Sequence, residues 1–184
     1  MRTAPPILLT ERLRLRGHER SDYAAMCRLW QHAETVRFIG GVPLEDQAVW
    51  FRLLRYAGMW ALLGFGFWVI EERATGAFLG EAGLLDAERG IAGLKDMPEA
   101  GWCCTPEATG KGIASEAMAA ILGWADAHLD APRIGCLIAP DNAPSLRVAH
   151  KLGFGEVDRT VLQGAPVVLL HRPRPQAASG AVSE

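Results

Sequence analysis

The chain has 184 residues, 49% of them hydrophobic and 22% charged, with 20 Gly and 11 Pro, the balance of one folded domain rather than a disordered or fibrous chain. Its 19 Lys plus Arg against 21 Asp plus Glu leave a formal net charge of -2, so no whole-molecule field draws it to nucleic acid or a membrane surface. Cysteines at 27, 103, 104 and 136 and histidines at 18, 32, 128, 150 and 171 show no metal-ligand spacing, so reduced thiols, no metal and a cytoplasmic location are expected.

Along the chain, Ile7 to Arg16 is predicted as a first strand, with Leu13 and Leu15 facing inward and Arg12, Arg14 and Arg16 facing solvent. Ser21-Asp22 offers an N-cap for a helix carrying Tyr23, Met26, Cys27 and Trp30 and ending near His32. After a loop through Gly40-Gly41, a second helix spans Leu44 to about Leu62, with Glu45 and Asp46 at its positive end. The apolar run from Met59 to Ile70 is interrupted by Gly64 and Gly66 and is too short to cross a bilayer, and neither a transmembrane helix nor a signal peptide is expected. Phe67 to Ile70 and Ala77 to Leu85 flank a turn at Ala74-Thr75-Gly76 and predict a hairpin. Glu99 to Thr105 is the next strand, stopped by Pro106.

Ile113, Ala117, Ile121 and Trp124 then draw the apolar stripe of a helix over Gly110 to His128. Ile134 to Ala139 reads as a strand, and Asp141 or Asn142 caps a helix that Gly153 ends. Phe154 to Asp158 and Pro166 to Leu170 close the sheet. The expected architecture is an α/β or α+β domain with a mixed sheet and about four helices, in which strands 99–105 and 134–139 are parallel neighbours. Residues 1–171 form the domain and 172–184 a mobile tail.

Pro106 to Ala117 joins a strand to a helix through Gly110-Lys111-Gly112. A helix N-terminus offers unpaired N–H groups and a positive dipole end, and glycine lets a pyrophosphate approach the backbone, with Lys111 adding charge. A plain tight turn into a core helix explains the same residues equally well. A Walker A loop would need Gly where Thr105 stands and Ser or Thr where Gly112 stands; a dinucleotide fingerprint would need Gly or Ala where Ser115 stands.

Gly110-x-Gly112-x-Ala114 after a strand, followed by Asn142-x-x-Ser145 and Lys151-Leu152-Gly153-Phe154, resembles the GNAT superfamily of acyl-CoA-dependent N-acetyltransferases. The opening Thr10-Glu11-Arg12-Leu13-Arg14-Leu15-Arg16 and Ser145-x-Arg147-Val148-Ala149 are similar to the subgroup that includes acetyltransferases of ribosomal-protein N-termini. The resemblance spans about residues 7–171. It implies a GNAT-like fold: a central, mostly antiparallel mixed sheet in which Trp102, Cys103 and Cys104 splay away from strand 134–139 to admit the pantetheine of acetyl-CoA. It implies a pyrophosphate loop at Thr109, Gly110, Lys111, Gly112, Ile113, Ala114 and Ser115, with Thr109 where the family usually has Gln or Arg. It places Asn142 near the thioester and leaves Ala149 where many members carry a tyrosine acid. Ser145 becomes the residue that assists the leaving thiolate.

The implied reaction is direct transfer of acetyl from acetyl-CoA to a primary amine, of a protein N-terminus or a small molecule, in a ternary complex. Such transfer needs a base for the amine and a donor for the oxyanion. The strand N–H near Cys104 serves the oxyanion, and Glu81 and Glu99 are the candidate bases, with solvated strand-end carboxylates as the plainer reading. Cys103 and Cys104 read as small buried strand residues rather than nucleophiles. Trp50, Trp60 and Trp68 read as core or dimer-contact residues, and the histidines as surface or packing residues, His150 near the cofactor. The acceptor is expected between Ala33 and Leu62 and at the turn from Arg159 to Gly164, in a monomer or homodimer. A non-catalytic acyl-CoA sensor and, less well supported, a nucleotide-binding domain are the alternative functions.

Overall fold

A computed structural model describes residues 4–175. Eight strands form one sheet in the order β1-β2-β3-β4-β5-β6-β8-β7. Strand β1 is Leu8–Leu9, β2 Leu13–Arg16, β3 Phe67–Glu72, β4 Phe78–Leu85, β5 Glu99–Cys104, β6 Arg133–Ile138, β7 Gly155–Leu162 and β8 Ala165–Pro173. The helices are α1 (Tyr23–Trp30), α2 (Ala33–Val36), α3 (Asp46–Leu63), α4 (Ile113–His128) and α5 (Ala143–Lys151). All neighbouring strands run antiparallel except β5 and β6, which are parallel as their helical crossover requires.

The alternation of side chains sorts two cores onto the two faces of the sheet. Leu13, Leu15, Trp68, Ile70, Ala82 and Leu84 turn toward α4, where Met118, Ile121 and Leu122 meet them. Trp60, Trp68 and Trp124 close that core with three edge-on ring contacts 4.5–5.5 Å apart. On the other face, Met26, Leu29 and Trp30 of α1 and Val49, Leu53 and Tyr56 of α3 cover Phe67 and Cys103. Trp60 and Trp68 are thus core residues, and Trp50 is half-buried, packed edge-on against Tyr23.

Three expectations are corrected by tertiary pairing. The predicted first strand is two, because the Thr10 hydroxyl and backbone turn back onto Leu13 and fold Leu8–Leu9 against Leu15 and Arg14. The arginines of β2 do not simply face solvent: Arg14 and Arg16 both hold Glu71 on β3, Arg16 also holds Asp22, and Arg12 reaches Glu116 on α4. The last strand passes the expected boundary at 171, since Arg172 lies in β8 and is bound by both oxygens of Asp126. The remainder of the expected tail, from residue 176, lies outside the described residues. No described helix is long and apolar enough to cross a membrane.

Candidate active site

Strands β5 and β6 meet at one register pair, Glu99 with Gly135, supported by the Gly135 N–H on the Pro98 carbonyl. Beyond it β5 keeps its full ladder with β4, through Cys104, while β6 keeps its ladder with β8, through Ile138. The two strands therefore part toward their C-terminal ends and leave facing backbone edges unpaired. Unsatisfied strand edges can pair with a group that supplies alternating donors and acceptors, as an extended amide chain does. Trp102 and Cys104 border it half-buried, and Cys103 points into the α1–α3 core.

At the wide end of the gap, β5 leads through Pro106–Ala108 into the glycine turn. Gly110 and Gly112 adopt φ of +80° and +78°, left-handed values that side chains with a Cβ rarely take. A Cβ at Gly110 would have no neighbour within 4 Å, so a ligand can lie directly on that backbone. Helix α4 starts at Ile113 with no side-chain cap, and its first backbone bond is Glu116 N–H to the Gly112 carbonyl. The N–H groups of Ile113, Ala114 and Ser115 thus end the helix unpaired beside an exposed Lys111. Thr109 turns its hydroxyl back to the Thr105 carbonyl, so the turn's own backbone uses it.

Arg12, which precedes β2, braces the glycine turn, a contact that the alternation of residues 12–16 concealed. Its Nη1 donates to the Lys111 carbonyl at 3.1 Å, and its Nε and backbone N–H donate to Glu116, which also receives the Thr10 hydroxyl at 2.6 Å. Burial pulls the Glu116 carboxyl up, but these donors outweigh it and hold it below its ordinary value. The network ties the glycine turn and the first turn of α4 to the sheet.

Opposite α4, β6 leads into α5. The Asn142 side chain accepts the Ser145 N–H at 3.2 Å and caps the helix. The Ser145 hydroxyl is half-buried and has no hydrogen-bond partner among the described residues. Gly153 follows the helix with φ of +85°. Ala149 is fully buried in the α4-side core, and His150 is exposed.

The two carboxylates proposed as bases sit in different surroundings. Glu81 on β4 pairs in register with Cys103 and is completely buried on the α1–α3 face. Its Oε1 lies 2.8 Å from His18 Nε2 and its Oε2 accepts Trp30 Nε1–H at 2.6 Å. His18 is therefore neither a surface residue nor mere packing: its side chain is buried against Tyr56, and its Nδ1 has no partner among the described residues. Glu99 lies at the closed end of the gap, where Arg89 grips both its oxygens at 2.6 and 2.9 Å. Five residues of extended chain, roughly 16 Å, separate it from Cys104. Burial pushes the Cys103 thiol up and the Cys104 thiol up to about 12, so neither presents a thiolate. Among the described residues no three His, Cys, Asp or Glu side chains converge as a metal-ligand set.

Residues 12–155 match the model of the acetyltransferase (GNAT) domain. The chain belongs to the GNAT acetyltransferase family. A curated relative, the uncharacterized N-acetyltransferase p20 of Bacillus licheniformis, is 28% identical over 151 residues, covering 80% of this chain and 81% of its own. A solved GnaT-family acetyltransferase of Bordetella pertussis is 33% identical with a TM-score of 0.81, covering 91% of this chain and 99% of its own. Two more distant structures share the fold: the ribosomal L7/L12 N-terminal acetyltransferase RimL in complex with coenzyme A (16% identical, TM-score 0.75, 91% and 98% covered) and the Vibrio cholerae spermidine N-acetyltransferase with CoA and spermine (19%, 0.72, 90% and 97%).

Proposed function

We propose that the protein transfers the acetyl group of acetyl-CoA to a primary amine by direct attack in a ternary complex. The observation that carries this reading is the single-pair contact of β5 with β6, which opens toward an uncapped helix N-terminus on one side and Ser145 on the other. Acetyl-CoA supplies an activated acyl carbon whose leaving group is a thiolate. The backbone of Gly110 to Ser115, with Lys111, holds the pyrophosphate. The free edge of Trp102, Cys103 and Cys104 aligns the pantetheine, and a strand N–H near Cys104 donates to the oxyanion.

Glu81 takes the proton of the attacking amine through water, held in place by His18 and Trp30. The Ser145 hydroxyl donates to the departing thiolate, and Asn142 fixes the helix turn that carries it. Glu99 is set aside from the base role because it stands at the closed end of the gap, roughly 16 Å of extended chain from Cys104, and is ion-paired with the permanently charged Arg89. Acceptors as different as a protein N-terminus and a polyamine are named for proteins of this fold, so the fold does not fix the amine. Isothermal titration with acetyl-CoA tests the cofactor half of the reading: saturable binding is expected, and none at high micromolar ligand would refute it.

A further inference from the structure

Five arginines are half-buried among the described residues, and four of them, Arg14, Arg16, Arg89 and Arg172, close on carboxylates. Arg52 does not. Its guanidinium carbon lies 3.7 Å from the centre of the Trp30 ring, and one Nη donates to the Tyr56 hydroxyl oxygen at 3.0 Å. Its buried Nε has no acceptor among the described residues. Arg52 and Tyr56 are four residues apart on α3 and share one face. The Tyr56 hydroxyl accepts from Arg52, and its own proton has no acceptor among the described residues.

A buried donor left unmade is costly, more so on a cation. The neighbouring aromatic ring offsets the charge but supplies no hydrogen-bond acceptor. What would satisfy both Arg52 and Tyr56 is a planar anion with two oxygens. The position matters as much as the chemistry. Arg52 lies on the Trp30 ring whose Nε1–H bonds Glu81, and Tyr56 packs 4.9 Å from the His18 ring that meets Glu81's other oxygen, so the cation and the buried anion stand on either side of the same two side chains. The two are not paired with each other: Glu81 is bound by His18 and Trp30.

We propose that Arg52, with the Tyr56 hydroxyl, receives a carboxylate carried by the acceptor, so that the acceptor class is small amino acids rather than polyamines or other purely cationic amines. This rests on the acetyltransferase reading, with the amine toward Glu81 and the carboxylate toward Arg52. A polyamine would bring positive charge to an unpaired guanidinium and leave its donors unmet.

The test compares matched pairs: the common α-amino acids, β-alanine and γ-aminobutyrate, each beside its carboxamide, with spermidine as the cationic control. Thiol release from acetyl-CoA is measured for the full chain, for Arg52→Gln and for Arg52→Lys, with melting temperatures to confirm folding. At least one acid is expected to exceed its carboxamide by about tenfold or more in kcat/KM. The ratio should fall toward one in R52Q and take an intermediate value in R52K, which keeps the charge but not the fork. Carboxamides or spermidine used as well as the acids, or a ratio unchanged in R52Q, would overturn the assignment. If no amine releases thiol, the acetyl-transfer reading fails, and titration calorimetry with the same pairs decides the carboxylate site alone. Binding of an acid, but not of its carboxamide, to the parent, with the acid's binding lost in R52Q, upholds it; equal or no binding of acid and carboxamide overturns it.

Discussion

On the face of the sheet covered by α4 and α5, every buried side-chain nitrogen and oxygen among the described residues has a partner. On the face covered by α1, α2 and α3, three do not: His18 Nδ1, Thr35 Oγ1 and Arg52 Nε. The difference matches the division of labour proposed above. In that proposal the cofactor side recognises a constant group with backbone, through two left-handed glycines, a free helix end and a parted strand, so its side chains can be fully paired. In the proposed function the acceptor side reads its molecule with side chains, and the unpartnered atoms of His18 and Arg52 lie on that side. Unpartnered buried polar atoms are rare in folded proteins, so their confinement to one layer sets that layer apart from the other.

The largest expected effect breaks the cofactor side alone. Gly110→Asp puts a carboxylate into open space where the pyrophosphate is proposed to lie, at a backbone angle that Asp tolerates better than most residues. Titration should show acetyl-CoA affinity reduced about a hundredfold or more, roughly 3 kcal/mol, with the melting temperature nearly kept. Next comes Glu81→Gln on the other face. Turnover should fall by about two to three orders of magnitude, the usual share of general acid–base catalysis, while acetyl-CoA still binds as in the parent. A matching loss of acetyl-CoA affinity would show that the two faces are not separate in function.

Ser145→Ala should lower kcat about tenfold, as for loss of one hydrogen bond to a developing charge, with little change in the KM for acetyl-CoA. The smallest effect concerns the support of the glycine turn. Folding lowers the Glu116 pKa from its ordinary 4.5, so its carboxylate stabilises the folded chain above that value, and the contribution is lost as pH falls through the folded value. Glu116→Gln should therefore cost about 1 kcal/mol at neutral pH, since the pair is partly exposed. The gap between variant and parent in urea melts should narrow below pH 4.5; a gap that widened in acid would contradict the Arg12–Glu116 account.

What the sequence made legible was mostly local. The hairpin around Gly76, the glycine turn before α4 and the Asn142 cap of α5 each depend on residues within a few positions of one another, and all three are found where the pattern put them. The pairs that shape the site join distant positions. Arg12 meets Glu116 104 residues away, His18 meets Glu81 across 63, and Trp30 meets Glu81 across 51. Alternation showed that Arg12, Arg14 and Arg16 share a direction, but not that carboxylates from β3 and α4 stand there. Glu81 and Glu99 looked alike as acidic residues on central strands; only the fold gives one a histidine and the other an arginine. Arg52 and Tyr56 carried a signal that could be found, an arginine four residues before a tyrosine on an amphipathic helix. That spacing alone names no ligand.

The most direct test is to incubate the purified protein with acetyl-CoA and the panel of amines, and to measure released thiol and N-acetylated product together. Release of one thiol per acetylated amine, lost in Gly110→Asp and strongly reduced in Glu81→Gln, is the predicted result. Acetyl-CoA that binds but releases no thiol beyond background hydrolysis with any amine would contradict it.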